Sequence, residues 1–234
     1  MALPFFYKPD IDLTATQVIL DEDTSKHVAQ VLRMQNGQQL QLTNGKGDLI
    51  TAEIIDDNRK KCVVKILTHS VETPANRKVT IAISLVKNST RFEWFLEKAT
   101  ELGVYQIVPL LCSRTEKQHF RHDRMKNILV SAMLQSQQAW LPVLHEPIKF
   151  WNYISGSGSN EKFIAHCEDD KPRIELTSYH PFKDSTILIG PEGDFSPDEI
   201  ALALQHNFQP VALGNTRLRT ETAGVVAATL LCLI

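Results

Sequence analysis

Two glycine-containing segments near the C-terminus hold the residues whose types and spacing could do chemistry. They are residues 187–196, ILIGPEGDFS, and residues 213–224, LGNTRLRTETAG. Each runs from a short apolar stretch through a glycine turn into a helix-like pattern, which puts both turns where open α/β sheets bind small ligands. Either turn alone would be ordinary chain geometry. Together, with Gly190, Gly193 and Gly214 allowing close approach of backbone amides, they predict a crevice for a flat ligand.

Motifs of several other reaction classes do not occur in the sequence. It has neither GxxxxGK[ST] nor GxSxG, which argues against a P-loop nucleotide enzyme and a serine hydrolase. Residues 155–160 contain GxG, but no clear strand precedes them and no third glycine follows. His119 and His122 have no third ligand in their pattern, so no metal site is predicted. The four cysteines have no CxxC spacing and are expected to be reduced, mostly buried thiols.

Composition indicates the class of protein but leaves its partner open. The 234 residues are 43% hydrophobic and 22% charged, without a recognisable secretion signal or membrane span, so we expect a cytoplasmic globular protein. The formal net charge of −2 disfavours indiscriminate binding of polyanions. Residues 114–126 nevertheless hold five lysines and arginines against two acids, and shorter basic clusters lie at 59–61 and 77–78. Such runs are either solvated faces or, beside a ligand crevice, contacts to nucleic acid.

Residues 1–72 have the pattern of a small β-rich module, and residues 72–78 resemble a linker. Several short strands with one helix favour a small barrel. The helix is expected to be capped by Asp23 or Thr24. Its predicted apolar stripe comprises Val28, Val31 and Leu32. The strands are predicted at 38–43, 49–55 and 62–67.

From Val79 onward, strands and helices alternate, which favours an α/β domain. The near-continuous apolar run at 79–86 is typical of a buried parallel strand. Ser196 to Glu199 is a capping box with proline at the first helical position, so a helix begins there. Further strands are predicted at 106–112, 163–167, 186–189 and 208–213. Further helices are predicted at 91–102, 124–138 and 220–233.

Three motifs, in this order along the chain, resemble one family of enzymes. Residues 87–103, LIGPEG at 188–193 and LRTETA at 218–223 are similar to the bacterial ribosomal RNA uridine N3-methyltransferases of the knotted SPOUT superfamily. The segment HVAQVLR at 27–33 resembles that family's N-terminal PUA-like module. The resemblance covers essentially the whole chain. It implies a PUA-like β-barrel RNA-binding domain at 1–72 and a trefoil-knotted α/β SPOUT methyltransferase domain at 73–234, in a homodimer.

The family resemblance also implies S-adenosylmethionine as the cofactor, held by the two glycine segments. The cofactor-binding residues would be Ile189, Gly190, Pro191, Glu192, Gly193, Leu213, Gly214, Leu218 and Arg219. The sequence departs from the family pattern at Asp194, where the family usually has glycine, and at Thr216 and Arg217, where it usually has Arg-Ile. Residues 134–138 also lack the Glu-Gln and nearby arginine that are common in the family, and Arg217 could substitute for that arginine.

Methyl transfer to N3 of uracil would place specific demands on the site. The reacting groups must be aligned, the base must be unpaired or flipped out, and the anion that develops when N3 loses its proton must be stabilised. Arg219 is our candidate for that stabilisation, and the alternative is a structural salt bridge with Glu221 or another loop carboxylate. Glu192 could accept hydrogen bonds from loop amides, face the positive charge of the cofactor, or act as a general base.

Contacts to ribosomal RNA, expected within the small ribosomal subunit, are assigned to basic residues that would position the phosphate backbone. These residues are Lys26, Arg33, Lys87, Arg91, Arg114, Lys117, Arg121, Arg124 and Arg217. The apolar last helix, with Val225, Val226, Leu230 and Leu231, offers either a dimer face or part of the domain core. A noncatalytic RNA-binding or ribosome-assembly module that retains the fold is the alternative to an enzyme.

Overall fold

The structure is a computed structural model that describes residues 3–116, 118–156, 158, 161–168, 173–179 and 183–233. Its contacts divide the chain into two units. The first comprises Met1–Pro74 with Met133–Leu141, and the second comprises Ala75–Ala132 with Pro142–Ile234. Each unit has its own buried apolar cluster.

The first unit is built on one five-stranded sheet. Its strands are β1 (Phe5–Tyr7), β2 (Gln17–Ile19), β3 (Gln39–Thr43), β4 (Asp48–Asp56) and β5 (Val63–Val71). Their order is β1-β3-β4-β5-β2, with β1 parallel to β3 and the other pairs antiparallel. Alternate residues such as Leu40, Leu42 and Ile50 are fully buried. No ladder joins β1 to β2 within the described residues, so the closed barrel stays a prediction.

The helical part of this unit differs from the prediction. Helix α1 (Glu22–Lys26) is capped by Asp21, whose carboxylate accepts hydrogen bonds from the backbone N–H and hydroxyl of Thr24, and not by Asp23 or Thr24. A π-helical turn (His27–Val31) follows, closed by the Leu32 N–H bonding to the His27 carbonyl at 2.9 Å. The wider turn changes the angular register of the chain. Val28 is therefore buried, whereas Val31 and Leu32 are 69% and 43% exposed, and the predicted stripe is wrong at those two residues.

The segment 133–141 pairs with the strands of the first unit. The Ala139 carbonyl accepts hydrogen bonds from the Gly47 N–H at 3.0 Å and from the Thr43 hydroxyl at 3.2 Å. The Trp140 indole donates to the Glu72 carbonyl at 3.2 Å. Gly47 has a φ of +96°, and a Cβ there would lie 2.4 Å from the Trp140 ring, so the close packing requires glycine.

The second unit is an α/β structure on an eight-stranded sheet. Its strands are β6 (Val79–Ser84), β7 (Gln106–Leu111), β8 (Val143–Leu144), β9 (Ile148–Lys149), β10 (Glu161–Ala165), β11 (Ile174–Glu175), β12 (Ser185–Ile189) and β13 (Gln209–Ala212). Their order is β11-β13-β10-β12-β6-β7-β8, with β9 also paired to β7, and every described pair is parallel. All residues of the central strands β6 and β12 are buried, as the continuous apolar runs predicted.

Helices cover this sheet. They are α2 (Ser89–Glu101), α3 (His122–Gln135), α4 (Phe150–Gly156), α5 (Pro197–Gln205) and α6 (Thr220–Leu233). The predicted capping box of α5 is confirmed, because Ser196 and Glu199 exchange side-chain to backbone hydrogen bonds at 3.3 and 2.8 Å. The short elements β8, β9, β11 and α4 were not predicted. In the described chain, no helix combines the length and apolarity that a membrane crossing requires.

Candidate cofactor pocket

Three strand ends meet at one edge of the second sheet. Ala165, the last residue of β10, is the register partner of both Ile189 in β12 and Val211 in β13. The chain segments that follow these strands therefore leave the sheet side by side. The sequence predicted this arrangement for the two glycine segments, and the structure adds the segment after β10 as a third.

These segments enclose a cavity of about 680 Å³, within the range of pockets that hold small molecules. It is lined by all the predicted cofactor residues except Gly193, and also by Arg217, which was predicted to contact RNA. Further lining residues within the two glycine segments are Asp194, Asn215, Thr216, Thr220 and Ala223. Lining residues outside these segments, which sequence reasoning missed, are Ala165, His166, Cys167, Arg173, Glu175, Val211 and Ala212. No local sequence signal marks His166 and Cys167, because only the pairing of β10 with β12 and β13 brings them to the pocket.

The backbone of the two glycine segments is fixed by close contacts. A Cβ at Gly190 would lie 3.1 Å from the Phe195 ring and 3.2 Å from the Phe195 nitrogen. Gly214 has a φ of +129°, a conformation that favours glycine. The Thr220 hydroxyl donates to the Gly190 carbonyl at 2.9 Å. This bond ties the start of α6 to the segment after β12. It therefore fixes the segments after β12 and β13 relative to each other.

Asp194 explains one departure from the family pattern. Its φ of +64° is left-handed, which is the backbone conformation that glycine adopts readily. The Asp194 carboxylate accepts hydrogen bonds from the N–H groups of Phe195 and Cys167, both at 2.8 Å. Aspartate tolerates this conformation because its short side chain can bond locally. The substitution thus keeps the loop shape and links two walls of the pocket.

Polar contacts from Arg114 and Glu199 support the same loop on its outer side. The Arg114 guanidinium donates to the carbonyl oxygens of Gly193 at 2.5 Å and Phe195 at 3.3 Å. Glu199, which is fully buried, accepts hydrogen bonds from the N–H groups of Ser196 and Ser113, both at 2.8 Å. Arg114 was predicted to contact RNA, and Gly193 to contact the cofactor. In the structure they bond to each other at the outer side of the loop.

The charged residues of the pocket are unequally paired. Arg217 and Arg219 are exposed, and neither forms an ion pair within the described part of the chain. The alternative salt bridge between Arg219 and Glu221 is not found there, since Glu221 lies 3.6 Å from Arg91 instead. Arg91 also forms an ion pair with Glu192, with 3.9 Å between Arg91 Nη1 and Glu192 Oε1. No loop amide among the described residues donates a hydrogen bond to Glu192.

The other predicted RNA contacts are distributed over the molecule. Arg124 makes a two-bond contact with Glu93 at 2.7 and 2.9 Å, and this hydrogen bonding lowers the pKa of the Glu93 carboxyl. Lys87 bonds Glu116 at 2.9 Å, which raises the pKa of the lysine. Arg121 is exposed. In the first unit, Lys26 pairs with Glu22 at 2.8 Å, and Arg33 is exposed with a φ of +54°. Lys117 lies outside the described residues.

Two of the cysteines are buried, and no metal-binding cluster is found among the described residues. Burial raises the pKa of the Cys112 thiol to about 12 and that of the Cys62 thiol to about 11, so both stay protonated at neutral pH. Across the described ranges, no group of three or more His, Cys, Asp or Glu residues is placed to hold a metal ion. The pocket offers backbone groups, arginines and carboxylates, together with the side chains of His166, Cys167 and Thr220.

Comparison with known proteins gives the family. An RNA methyltransferase domain model matches residues 73–232, and an RNA methyltransferase PUA domain model matches residues 20–67. The ribosomal RNA small subunit methyltransferase E of Synechocystis is 31% identical over 97% of this chain and 76% of its own length.

Two crystal structures extend the similarity to three dimensions. A probable rRNA-methyltransferase from Porphyromonas gingivalis has a TM-score of 0.90 and 40% identity, covering 97% of this chain and 96% of that one. A ribosomal RNA small subunit methyltransferase E from Neisseria gonorrhoeae, bound to S-adenosylmethionine, has a TM-score of 0.84 and 27% identity, covering 97% and 96%. The pocket and these matches agree, and the chain belongs to the RNA methyltransferase family that includes the ribosomal RNA small subunit methyltransferases E.

Proposed function

We propose that this protein transfers a methyl group from S-adenosylmethionine to N3 of a uridine in small-subunit ribosomal RNA. The observation that carries the proposal is the pocket formed by the segments after β10, β12 and β13. It occurs in a chain whose relative from Neisseria gonorrhoeae is a ribosomal RNA small subunit methyltransferase E bound to S-adenosylmethionine. A ribosomal substrate also supports our expectation that the protein works in the cytoplasm.

The residues present fit a cofactor of this kind. The close approach at Gly190 and the left-handed Gly214 leave backbone groups free of side-chain bulk, and the cavity is large enough for a nucleoside with a charged tail. We assign Ile189 to Gly193, with Leu213, Gly214, Leu218 and Arg219, to hold it. When bound, the cofactor supplies a methyl group on a positively charged sulfur. Glu192 is the pocket carboxylate that we assign to face this positive charge.

The protein's own part in the reaction is positioning and electrostatic stabilisation. Holding the methyl donor and the uracil ring in line contributes about 7–11 kcal/mol in well-oriented systems. The N3 proton lies on the Watson–Crick edge, so the base must be unpaired before N3 can react, and this proton is released to solvent water when N3 takes the methyl group. We assign Arg219 to stabilise the negative charge that develops on the ring, because its guanidinium lines the pocket without an ion-pair partner among the described residues.

Binding of the RNA target is assigned to both units. We propose residues 1–72 as a PUA-like RNA-binding domain and residues 73–234 as the methyltransferase domain, in line with the two family-model matches. Lys26, Arg33, Arg121 and Arg217 are proposed phosphate contacts. They remain available because their partners are solvent-exposed, as for Lys26, or because no ion pair engages them in the described ranges. Phosphate contacts position the RNA without reading its sequence.

We also propose that the second unit has the trefoil-knotted SPOUT fold. The support is the family resemblance together with the all-parallel order β13-β10-β12-β6, in which α6 follows a loop held to Gly190 by Thr220. A crystal structure of this chain would test the proposal directly. An unknotted backbone trace, in which both ends can be pulled straight, would contradict it.

A homodimer is proposed on the basis of helix α6. One row of this helix is buried and comprises Gly224, Ala227, Ala228 and Leu231. Leu231 therefore belongs to the domain core, which was one of the two roles expected for the last helix. A second row is less covered: Val226 and Leu230 are half-buried, and Leu233 is 65% exposed. Light scattering should give twice the chain mass, and Leu230→Asp should reduce it to a single chain mass without lowering helix content. A monomeric wild type would contradict the dimer.

The methyl-transfer proposal is tested with purified protein, radiolabelled S-adenosylmethionine and small ribosomal subunits that lack this modification. We expect label on N3 of one uridine, located by mass spectrometry. Arg219→Ala should lower the rate about 10²- to 10³-fold, as loss of one charge-stabilising group does elsewhere. Lys98→Gln, which removes a cation paired with Glu97 and Glu101, serves as the matched control and should retain the rate. Absence of both label and cofactor binding would favour the noncatalytic RNA-binding module.

A further inference from the structure

Arg91 lies between two carboxylates and is hydrogen-bonded to neither. Its Nε is 3.6 Å from Glu221 Oε1, and its Nη1 is 3.9 Å from Glu192 Oε1. Both distances are beyond a normal N–H···O hydrogen bond. Within the described chain, the Arg91 guanidinium donates no other hydrogen bond. Arg124 is the contrasting case, since its guanidinium bonds Glu93 at 2.7 and 2.9 Å. Arg91 is therefore held by charge, and its donors are available to a ligand.

The two carboxylates hold Arg91 unequally. Glu221 stands in the first turn of α6 with its side chain 7% exposed, and its Oε2 is buried without a hydrogen-bond partner among the described residues. A buried carboxylate retains its counter-ion strongly, because the unpaired charge is costly. Glu192 is 38% exposed, so water screens its attraction for Arg91. Glu221 is thus the anchor of Arg91, and Glu192 is the carboxylate from which Arg91 can be displaced.

Glu192 also lines the cofactor pocket, so it has a second possible cation. Among the described residues, Arg91 is the cation that forms an ion pair with Glu192. Lys87 also interacts electrostatically with Glu192, but it is already bonded to Glu116 at 2.9 Å. A positively charged ligand in the pocket would therefore compete mainly with Arg91. Such competition would change how strongly Arg91 can attract an anion outside the pocket.

We propose that Arg91 is shared between the cofactor site and the RNA site. The sulfonium of bound S-adenosylmethionine compensates Glu192 and frees Arg91, still anchored by Glu221, to bind a phosphate of the RNA. Loss of the methyl group leaves neutral sulfur in S-adenosylhomocysteine, so Arg91 returns to Glu192 and RNA affinity falls. This inference rests on the proposed function and adds an order to it: the charged cofactor favours RNA binding, and the neutral product favours release. The coupling is reciprocal by thermodynamic necessity.

Two cofactor analogues separate charge from shape in the test. S-adenosylhomocysteine is neutral at sulfur, and sinefungin carries a protonated amine in the corresponding place but transfers no methyl group. The dissociation constant of unmethylated small ribosomal subunits is measured with the protein saturated by either compound. We expect binding about tenfold tighter with sinefungin, a coupling typical of linked sites.

Three variants distinguish this mechanism from simple structural damage. Glu192→Gln should bind subunits tightly with either compound, because nothing competes for Arg91. Arg91→Gln should bind them weakly with either, and Glu221→Gln should do the same because the anchor is lost. Glu97→Gln is the control. It removes a carboxylate of α2, the helix that contains Arg91, and this carboxylate pairs with Lys98 at 2.7 Å. The control should keep the tenfold ratio. Thermal melts establish that each variant is folded.

Different results would overturn the sharing of Arg91 and the proposed function. If Glu192→Gln retains the wild-type ratio, or weakens binding in the presence of S-adenosylhomocysteine, the sharing of Arg91 is wrong. If the wild type binds sinefungin in calorimetry but shows no ratio, this inference falls and the methyl-transfer proposal stands. If calorimetry detects no binding of S-adenosylmethionine or its analogues, the proposed function and this inference are both overturned.

Discussion

At the scale of single residues, the pocket depends on side chains that hold backbone shape. Asp194 occupies a left-handed position and bonds the N–H groups of Phe195 and Cys167, so it joins the segments after β12 and β10. Thr220 makes the corresponding link to Gly190. Arg217 and Arg219, which line the pocket, form no ion pair within the described residues. Shape and charge are thus supplied by different residues.

Replacement of Asp194 should show these two contributions separately. Asp194→Gly keeps the backbone conformation but loses both hydrogen bonds, and Asp194→Ala also strains the backbone, with a cost of about 1–3 kcal/mol. We expect S-adenosylmethionine affinity to fall from wild type to Gly to Ala, measured by calorimetry, with stability measured by urea unfolding. Asn207, with the same φ of +64°, lies outside the pocket lining and provides the control. Asn207→Ala should lose stability but keep affinity; an equal loss of affinity would contradict the assignment.

Thiol reactivity offers a probe of the pocket that does not depend on activity. Cys167 is exposed and lines the cavity, whereas burial raises the pKa of Cys62 and Cys232 to about 11 and that of Cys112 to about 12. At pH 8 we expect one fast-reacting thiol toward a chromogenic disulfide reagent, because the thiolate is the reactive form. Cys167→Ser should remove the fast phase, and S-adenosylmethionine should slow it. An unchanged rate with cofactor would place the ligand elsewhere.

At the scale of elements, helix α6 packs closely against the sheet because Gly224 has no side chain. A Cβ at Gly224 would lie 2.6 Å from Phe95 Cε2 in α2 and 2.8 Å from Ile83 Cδ1 in β6. The helix can therefore approach both elements closely, and its first turn delivers Thr220 and Glu221 to the pocket side. The position of α6 relative to α2 and β6 is thus set by packing at Gly224.

Gly224→Ala should consequently destabilise the second unit even though alanine favours helix. Overpacking costs about 1–3 kcal/mol, and the helix propensity gain returns at most about 1 kcal/mol. Gly156→Ala is the matched control, because it lies in α4 and a Cβ there meets nothing within 4 Å. We expect a lower unfolding free energy in urea for Gly224→Ala, and an equal or higher one for the control. Equal stability of both variants would show that the contact yields without cost.

At the scale of the whole molecule, the family motifs and the contact units divide the chain differently. Residues 133–141 are distant in sequence from the first unit and yet belong to its contacts, through Ala139 and Trp140. The hydrogen bonds to Gly47, Thr43 and Glu72 would be lost if the chain were cut after residue 74. The first unit is therefore discontinuous.

A fragment of residues 1–74 should accordingly be less stable than the same fragment joined by a flexible linker to residues 133–141. Each lost hydrogen bond lowers the free energy of unfolding by about 1 kcal/mol, and a small domain has only a small free energy of unfolding. Urea unfolding followed by circular dichroism compares the two fragments. Sharp and coincident transitions would mean that residues 133–141 add nothing to this unit.

Prediction from sequence worked where a local pattern determines structure. The apolar runs of β6 and β12 and the capping box at Ser196 are such patterns. The strands β8, β9 and β11 have two residues each, too few to show periodicity. The prediction for Val31 assumed a 3.6-residue repeat, and the π-helical turn after Lys26 breaks that repeat. The third pocket wall could not be predicted, since only the register of Ala165 with Ile189 and Val211 brings it there. The dimer and the knot came from family resemblance alone.

The distribution of pocket residues along the chain has a consequence during synthesis. The lining residues that the structure describes all lie between Ala165 and Ala223, and Thr220 must be present to fix Gly190. The first unit is complete once residue 141 has left the ribosome, at an elongation rate of about 5–20 residues per second. A nascent chain therefore passes through a stage, lasting several seconds, in which it has its whole N-terminal module but no cofactor site.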